Sequence, residues 1–97
     1  NEVSVNKIKR IVSDYFGLTR QQLISNSRTK NIASARHIAM YLSRKLLDLP
    51  FIKIGEEFGK RDHSTVMNAC EKVETNLKKD IHYKNMLAEL EKQIVQT

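Results

Sequence analysis

Large apolar side chains return every three or four residues along almost the whole chain, and nowhere do apolar and polar residues alternate as a half-buried strand requires. Such a pattern admits helices packed on helices and little else. Three Gly and one Pro leave few places where a helix must stop. At 97 residues there is room for one domain around one core, so positions 1–97 are expected to form a single compact all-α unit.

Local signals divide the chain into six helices. Ser4 is a plausible N-cap for a first helix with Val5, Ile8, Val12 and Tyr15 or Phe16 on its stripe, and Gly17 suits its stop. Thr19 and Gln22 have capping-box spacing, so a short second helix carries Leu23 and Ile24. Residues 25–31 have no large apolar side chain and read as an exposed basic loop. The third helix is expected from about 32 to 47, burying Ala35, Ile38, Ala39, Leu42 and Leu46. Pro50 separates it from a short fourth helix, 51–58, which buries Ile54 and Phe58. A fifth helix begins after Asp62 with Val66, Ala69 or Cys70, Val73 and Leu77 inward; a sixth, from about 81, turns in Tyr83, Leu87, Leu90 and Ile94.

Charge narrows the partner. Lys and Arg number 17 against 11 Asp and Glu, a net +6 that favours nucleic acid or an acidic membrane surface. No apolar run approaches the roughly 20 residues of a membrane-spanning helix. Residues 1–4 do not have the basic-then-apolar order of a secretory signal. Cys70, being single, makes no internal disulfide, which suits a reducing compartment such as the cytoplasm. The chain starts without Met, and it is expected to be a piece of a longer protein.

The stretch from Ile54 to Val66, Ile-Gly-Glu-Glu-Phe-Gly-Lys-Arg-Asp-His-Ser-Thr-Val, is the most informative. A short helix, a turn opened by glycine and a longer helix make a helix-turn-helix. Gly55 costs about 1 kcal/mol against Ala in an exposed helix, so a close approach by the second helix is its expected reason. That second helix opens with small polar residues and a histidine, where this motif reaches base edges. Each residue also has a plainer role. Asp62 is a good N-cap, Ser64 and Thr65 suit any first turn, His63 could be a solvated surface residue, and Arg61 could be surface charge.

Gly-Lys-Arg-Asp-His-Ser-Thr-Val resembles the signature of the C-terminal domain of the bacterial replication initiator family DnaA, usually Gly-Gly-Arg-Asp-His-Thr/Ser-Thr-Val. Ile54–Phe58 and the Ala-Arg-His-Ile-Ala-Met-Tyr-Leu-Ser-Arg of 35–44 resemble it too, and the likeness runs from about Val5 to the last helix. The resemblance implies a six-helix, Trp-repressor-like fold that binds double-stranded DNA at short A/T-rich origin boxes. Asp62, His63 and Ser64 would face bases in the major groove; Arg61 and Thr65 would hold phosphates. Arg28 would enter the adjacent minor groove, with Thr29 on the backbone beside it; Arg36, His37 and Arg44 match phosphate-contacting positions. Residues 37 and 44 lie two turns apart on one helix face, which suits that grouping. Three positions depart from the family: Ile52 replaces a proline that packs near a thymine methyl, Ala35 replaces a frequent proline, and Lys60 replaces the second glycine of the turn.

Other chemistries find no residues here. No Gly-x-x-x-x-Gly-Lys-Ser/Thr loop is present; the resemblance puts ATP binding on an upstream domain and leaves this fragment without cofactor, metal or catalysis. His63 and Cys70, seven positions apart on one helix, stand about 10 Å from each other, too far to share a zinc. The expected molecule is a monomer of the bacterial cytoplasm, associated with the nucleoid. Two alternatives compete with origin recognition. A helix-turn-helix repressor would need a dimer interface to read two half-sites. A helical module facing an acidic protein or membrane would leave the polar start of the fifth helix and the loop arginine without a role.

Overall fold

The computed structural model describes residues 2–96; Asn1 and Thr97, the two ends of the expected 1–97 domain, lie outside the described residues. Six helices follow in order: α1 (Val5–Phe16), α2 (Arg20–Leu23), α3 (Lys30–Leu47), α4 (Phe51–Glu57), α5 (His63–Lys79) and α6 (Ile81–Gln96). No strand occurs among the described residues.

The ends form where short-range chemistry dictates. The Ser4 hydroxyl accepts from Lys7 N at 3.1 Å, occupying one of the free N–H groups of the first turn of α1, and Gly17 closes that helix in the left-handed region. Both hydrogen bonds of the Thr19/Gln22 capping box are made, at 3.0 and 2.9 Å. Two boundaries differ from expectation. α4 ends at Glu57 rather than 58. α3 begins at Lys30 rather than 32, so the basic loop is shorter by two residues. Thr29 precedes it without a side-chain cap, its hydroxyl being engaged by Ser27 at 3.1 Å. Asp48 ends α3 in the left-handed region, and Pro50 then starts α4.

α3 is the central element, packed between α1 and α5, with α4 against α5 and α6 covering α1 and α5. Ile8 and Val12, Ile38, Ala39, Met40 and Leu42, Ile54 and Phe58, Val66 and Val73, and Leu90 and Ile94 meet in one fully enclosed cluster. Burial at these positions supplies the folding drive, on the order of 1.5–3 kcal/mol for each large side chain. Leu46 and Leu77 sit at the margin of this core, only half-buried. Two ion pairs brace the helices from outside: Lys9 to Glu57 (3.6 Å) between α1 and α4, and Lys45 to Glu91 (3.0 Å) between α3 and α6.

Candidate nucleic-acid interface

α4, the turn at 58–62 and α5 form the helix-turn-helix. The turn is tight. Arg61 N donates to Gly55 O at 2.9 Å, and a Cβ on Gly55 would overlap the Arg61 carbonyl oxygen. Here the expectation needs a correction: the body that excludes a side chain at 55 is the turn's own backbone, while the second helix contributes only Val66 Cγ2 at 3.6 Å. Gly59 has φ +87° and Lys60 φ +60°. Both lie in the region glycine favours, so Lys60 holds a conformation awkward for a side-chain-bearing residue.

α5 presents its first turn to solvent. Asp62, His63, Ser64 and Thr65 are all exposed, directly before Val66 enters the core. Asp62 does cap the helix, accepting from Thr65 N at 2.9 Å. Hydrogen bonds from the Thr65 backbone and hydroxyl hold the Asp62 carboxyl below the usual carboxylate range. Ile52, on the neighbouring helix, is 64% exposed, an apolar side chain left outside the core. It shares an open depression with Glu56, Lys60, Arg61, Asp62 and His63. Its lining combines an apolar side chain with carboxylates and cations.

Beside it lies the segment joining α2 to α3. Ser25 Oγ bridges Gln22 O (2.7 Å) and Ser27 N (3.2 Å), and Ser27 Oγ accepts from Thr29 N (3.2 Å). Beyond Ile24, which packs against the core, these local bonds shape the loop. Arg28 and Thr29 are exposed, and Arg28 has no hydrogen bond or ion pair among the described residues.

The remaining cations behave differently from one another. Arg36 is only 6% exposed and donates to Ser25 O (2.9 Å) and Ser27 O (3.0 Å). Arg61 is half-buried and donates to Ile24 O (3.2 Å), Phe58 O and Ser25 O. Burial, and then the charge of Arg61, pushes the Arg36 guanidinium down from its ordinary value; burial does the same to Arg61. His37 is half-buried next to them, its pKa lowered first by burial and then by Lys72, Arg36 and Arg61. Arg44 stands apart at the far end of α3. It donates to Leu49 O at 2.8 Å and lies 4.5 Å over the Phe51 ring, a stack that fixes α4 to α3. Cys70 is a buried thiol pushed up to about 11 by desolvation, inert rather than nucleophilic.

The expected site residues thus fall into three places. The start of α5 with Ile52 makes one, the Arg28–Thr29 loop a second touching it through Arg61, and Arg44 a third beside Phe51. Lys72, which charges the surroundings of His37, was not singled out in the sequence. The inward turn of Arg36 had no signal in the sequence; in the structure it shares a helix face with Met40 and Ser43, both of which are buried.

A short helix, a backbone-tight turn and a second helix with an exposed polar first turn define a DNA-binding helix-turn-helix domain. The chain matches the family described as the bacterial dnaA protein helix-turn-helix over residues 5–73, and it belongs to that family. It is also similar to a solved DNA replication initiation factor, with a TM-score of 0.80 and 34% identity over 93% of this chain. The present chain corresponds to 28% of that protein's length.

Proposed function

We propose that this domain binds double-stranded DNA at short A/T-rich boxes of a bacterial replication origin, as the reading head of a longer initiator. Asp62, His63 and Ser64 face base edges in the major groove, and Ile52 offers an apolar contact to a thymine methyl at the rim. Arg28 enters the adjacent minor groove with Thr29 on the backbone. Thr65, His37 and Arg44 lie along phosphates, and Arg36 and Arg61 stand between the two reading elements. The domain acts by binding, without cofactor, as a monomer in the bacterial cytoplasm, at the nucleoid. ATP belongs to another domain of the full protein.

The observation that carries this reading is the exposed polar turn Asp62–Thr65, seated next to a loop whose arginine has no hydrogen bond or ion pair among the described residues. Exposed side chains without internal partners are available to a ligand; those of the core are not. A monomer is supported by α6, whose Leu87, Leu90 and Ile94 are buried in the domain's own core rather than held out for a second copy.

Selecting bound duplexes from a random pool tests the proposal. An asymmetric, A/T-rich site about nine base pairs long is expected. A palindrome of two half-sites, with a dimer in sedimentation, would replace it by a repressor; no enrichment would leave a module for acidic proteins or membranes.

A further inference from the structure

Arg36 and Arg61 match positions for which phosphate contact is expected, yet their donors face the protein. Arg36 comes from the middle of α3 and Arg61 from the turn of the helix-turn-helix, and both donate to Ser25 O. Between them they also take Ile24 O, Ser27 O and Phe58 O. We propose that Arg36 and Arg61 are positioning residues that clamp the 24–27 backbone onto the helix-turn-helix and thereby set where Arg28 meets DNA.

Three observations carry this. The loop has no large apolar side chain beyond Ile24, so its carbonyls need donors that water alone would supply without holding it in place. Guanidinium groups offer several donors in a rigid fork, which suits one side chain to two carbonyls at once. The second observation is steric: a Cβ on Gly59 would come 2.6 Å from Ile24 O, so the turn and the loop backbone are in direct contact. The third is exposure. A phosphate grip must show its donors to solvent, and Arg36 is almost wholly enclosed. Burial, and then the neighbouring charge of Arg61, disfavours the charged Arg36 guanidinium; the carbonyl oxygens it donates to offset that cost.

The inference rests on the DNA reading only for what Arg28 does; the clamp itself is a property of the free domain. The test uses Arg61→Lys, which keeps the charge and loses the fork, with Arg36→Lys as a second variant. Circular dichroism melting first confirms that each is folded. Amide hydrogen exchange without DNA should then show residues 25–29 opening about tenfold faster than in wild type, with the core amides unchanged. On duplexes, preference for A·T over G·C at the Arg28 end should fall to the level of Arg28→Ala, and the double variant Arg28→Ala/Arg61→Lys should lose nothing more there. Discrimination at the major-groove end and the dependence of affinity on salt should persist. A merely structural role would weaken both ends alike.

Unchanged loop exchange overturns the clamp. So does the pattern of a phosphate contact, in which Lys substitutes well and Arg61→Ala lowers the salt slope by about 0.9 while weakening all duplexes equally. If wild type is indifferent to the flanking pairs, the role assigned to Arg28 falls, and loop exchange alone decides the clamp.

Discussion

Gly55 and Arg61 meet backbone to backbone, the Arg61 amide donating to the Gly55 carbonyl at 2.9 Å across the turn. This contact sets the angle at which α5 leaves α4, and it leaves no volume for a side chain at 55. Gly55→Ala should therefore destabilise the domain although alanine is the better helix former by about 1 kcal/mol. The intruding methyl meets backbone, which cannot rotate away, so a net loss of about 2 kcal/mol or more is expected in urea unfolding. An unchanged or raised midpoint would mean the turn relaxes freely.

His63→Ala should reduce discrimination more than affinity. The residue is exposed at the start of α5 and takes no part in the core, so its loss leaves the fold intact. A good base contact is worth about 1–3 kcal/mol of discrimination. Titrating the variant on selected and scrambled duplexes checks this; an unchanged ratio would make His63 a bystander on the surface.

Arg28→Ala should abolish the preference for A·T over G·C at one end of the site and keep the reading at the other. The minor groove separates A·T from G·C but barely A·T from T·A, so exchanging A·T for T·A there should matter little even to wild type. Narrow A/T-rich grooves attract a guanidinium through their deepened potential. Lys should restore the preference only in part, being a more strongly hydrated point charge. Binding series on the three flank sequences decide the matter.

His37 predicts a pH dependence. Its folded pKa is lowered from 6.5 by burial and by Lys72, Arg36 and Arg61. The unfolded chain therefore binds more protons just below that value, so this contribution to stability is complete above about pH 6.5 and declines as the pH falls. Phosphates beside the ring would reverse the local field and favour the charged form. Affinity for duplex should then rise as pH falls from about 7.5 to 6, and His37→Gln should remove that part of the rise. Parallel slopes for wild type and variant would place the phosphates elsewhere.

Much of the architecture was legible in local sequence. Ser4, the Thr19/Gln22 box, Pro50 and Asp62 act within four residues of themselves, and each marks a helix end in the structure. The apolar stripes also stood out, because burial selects residues every three or four positions whatever the partner helix. The chain's +6 charge and the polar opening of α5 pointed to DNA on the same short-range terms. The start of α3 was misjudged by two residues, since Thr29 engages Ser27 instead of capping and its neighbour Lys30 carries no apolar mark.

What local pattern could not contain was the direction of long side chains and the meeting of distant backbones. By resemblance Arg36, Arg44 and Arg61 all match phosphate-contacting positions, but tertiary packing gives them different partners: loop carbonyls for Arg36 and Arg61, the Leu49 carbonyl and Phe51 ring for Arg44. Likewise, the reason for Gly55 is a carbonyl brought back by the turn, not the helix beyond it. Helix positions and stripes follow from each residue and its near neighbours. A flexible cation's partner depends on which unpaired carbonyls the completed fold places within its reach.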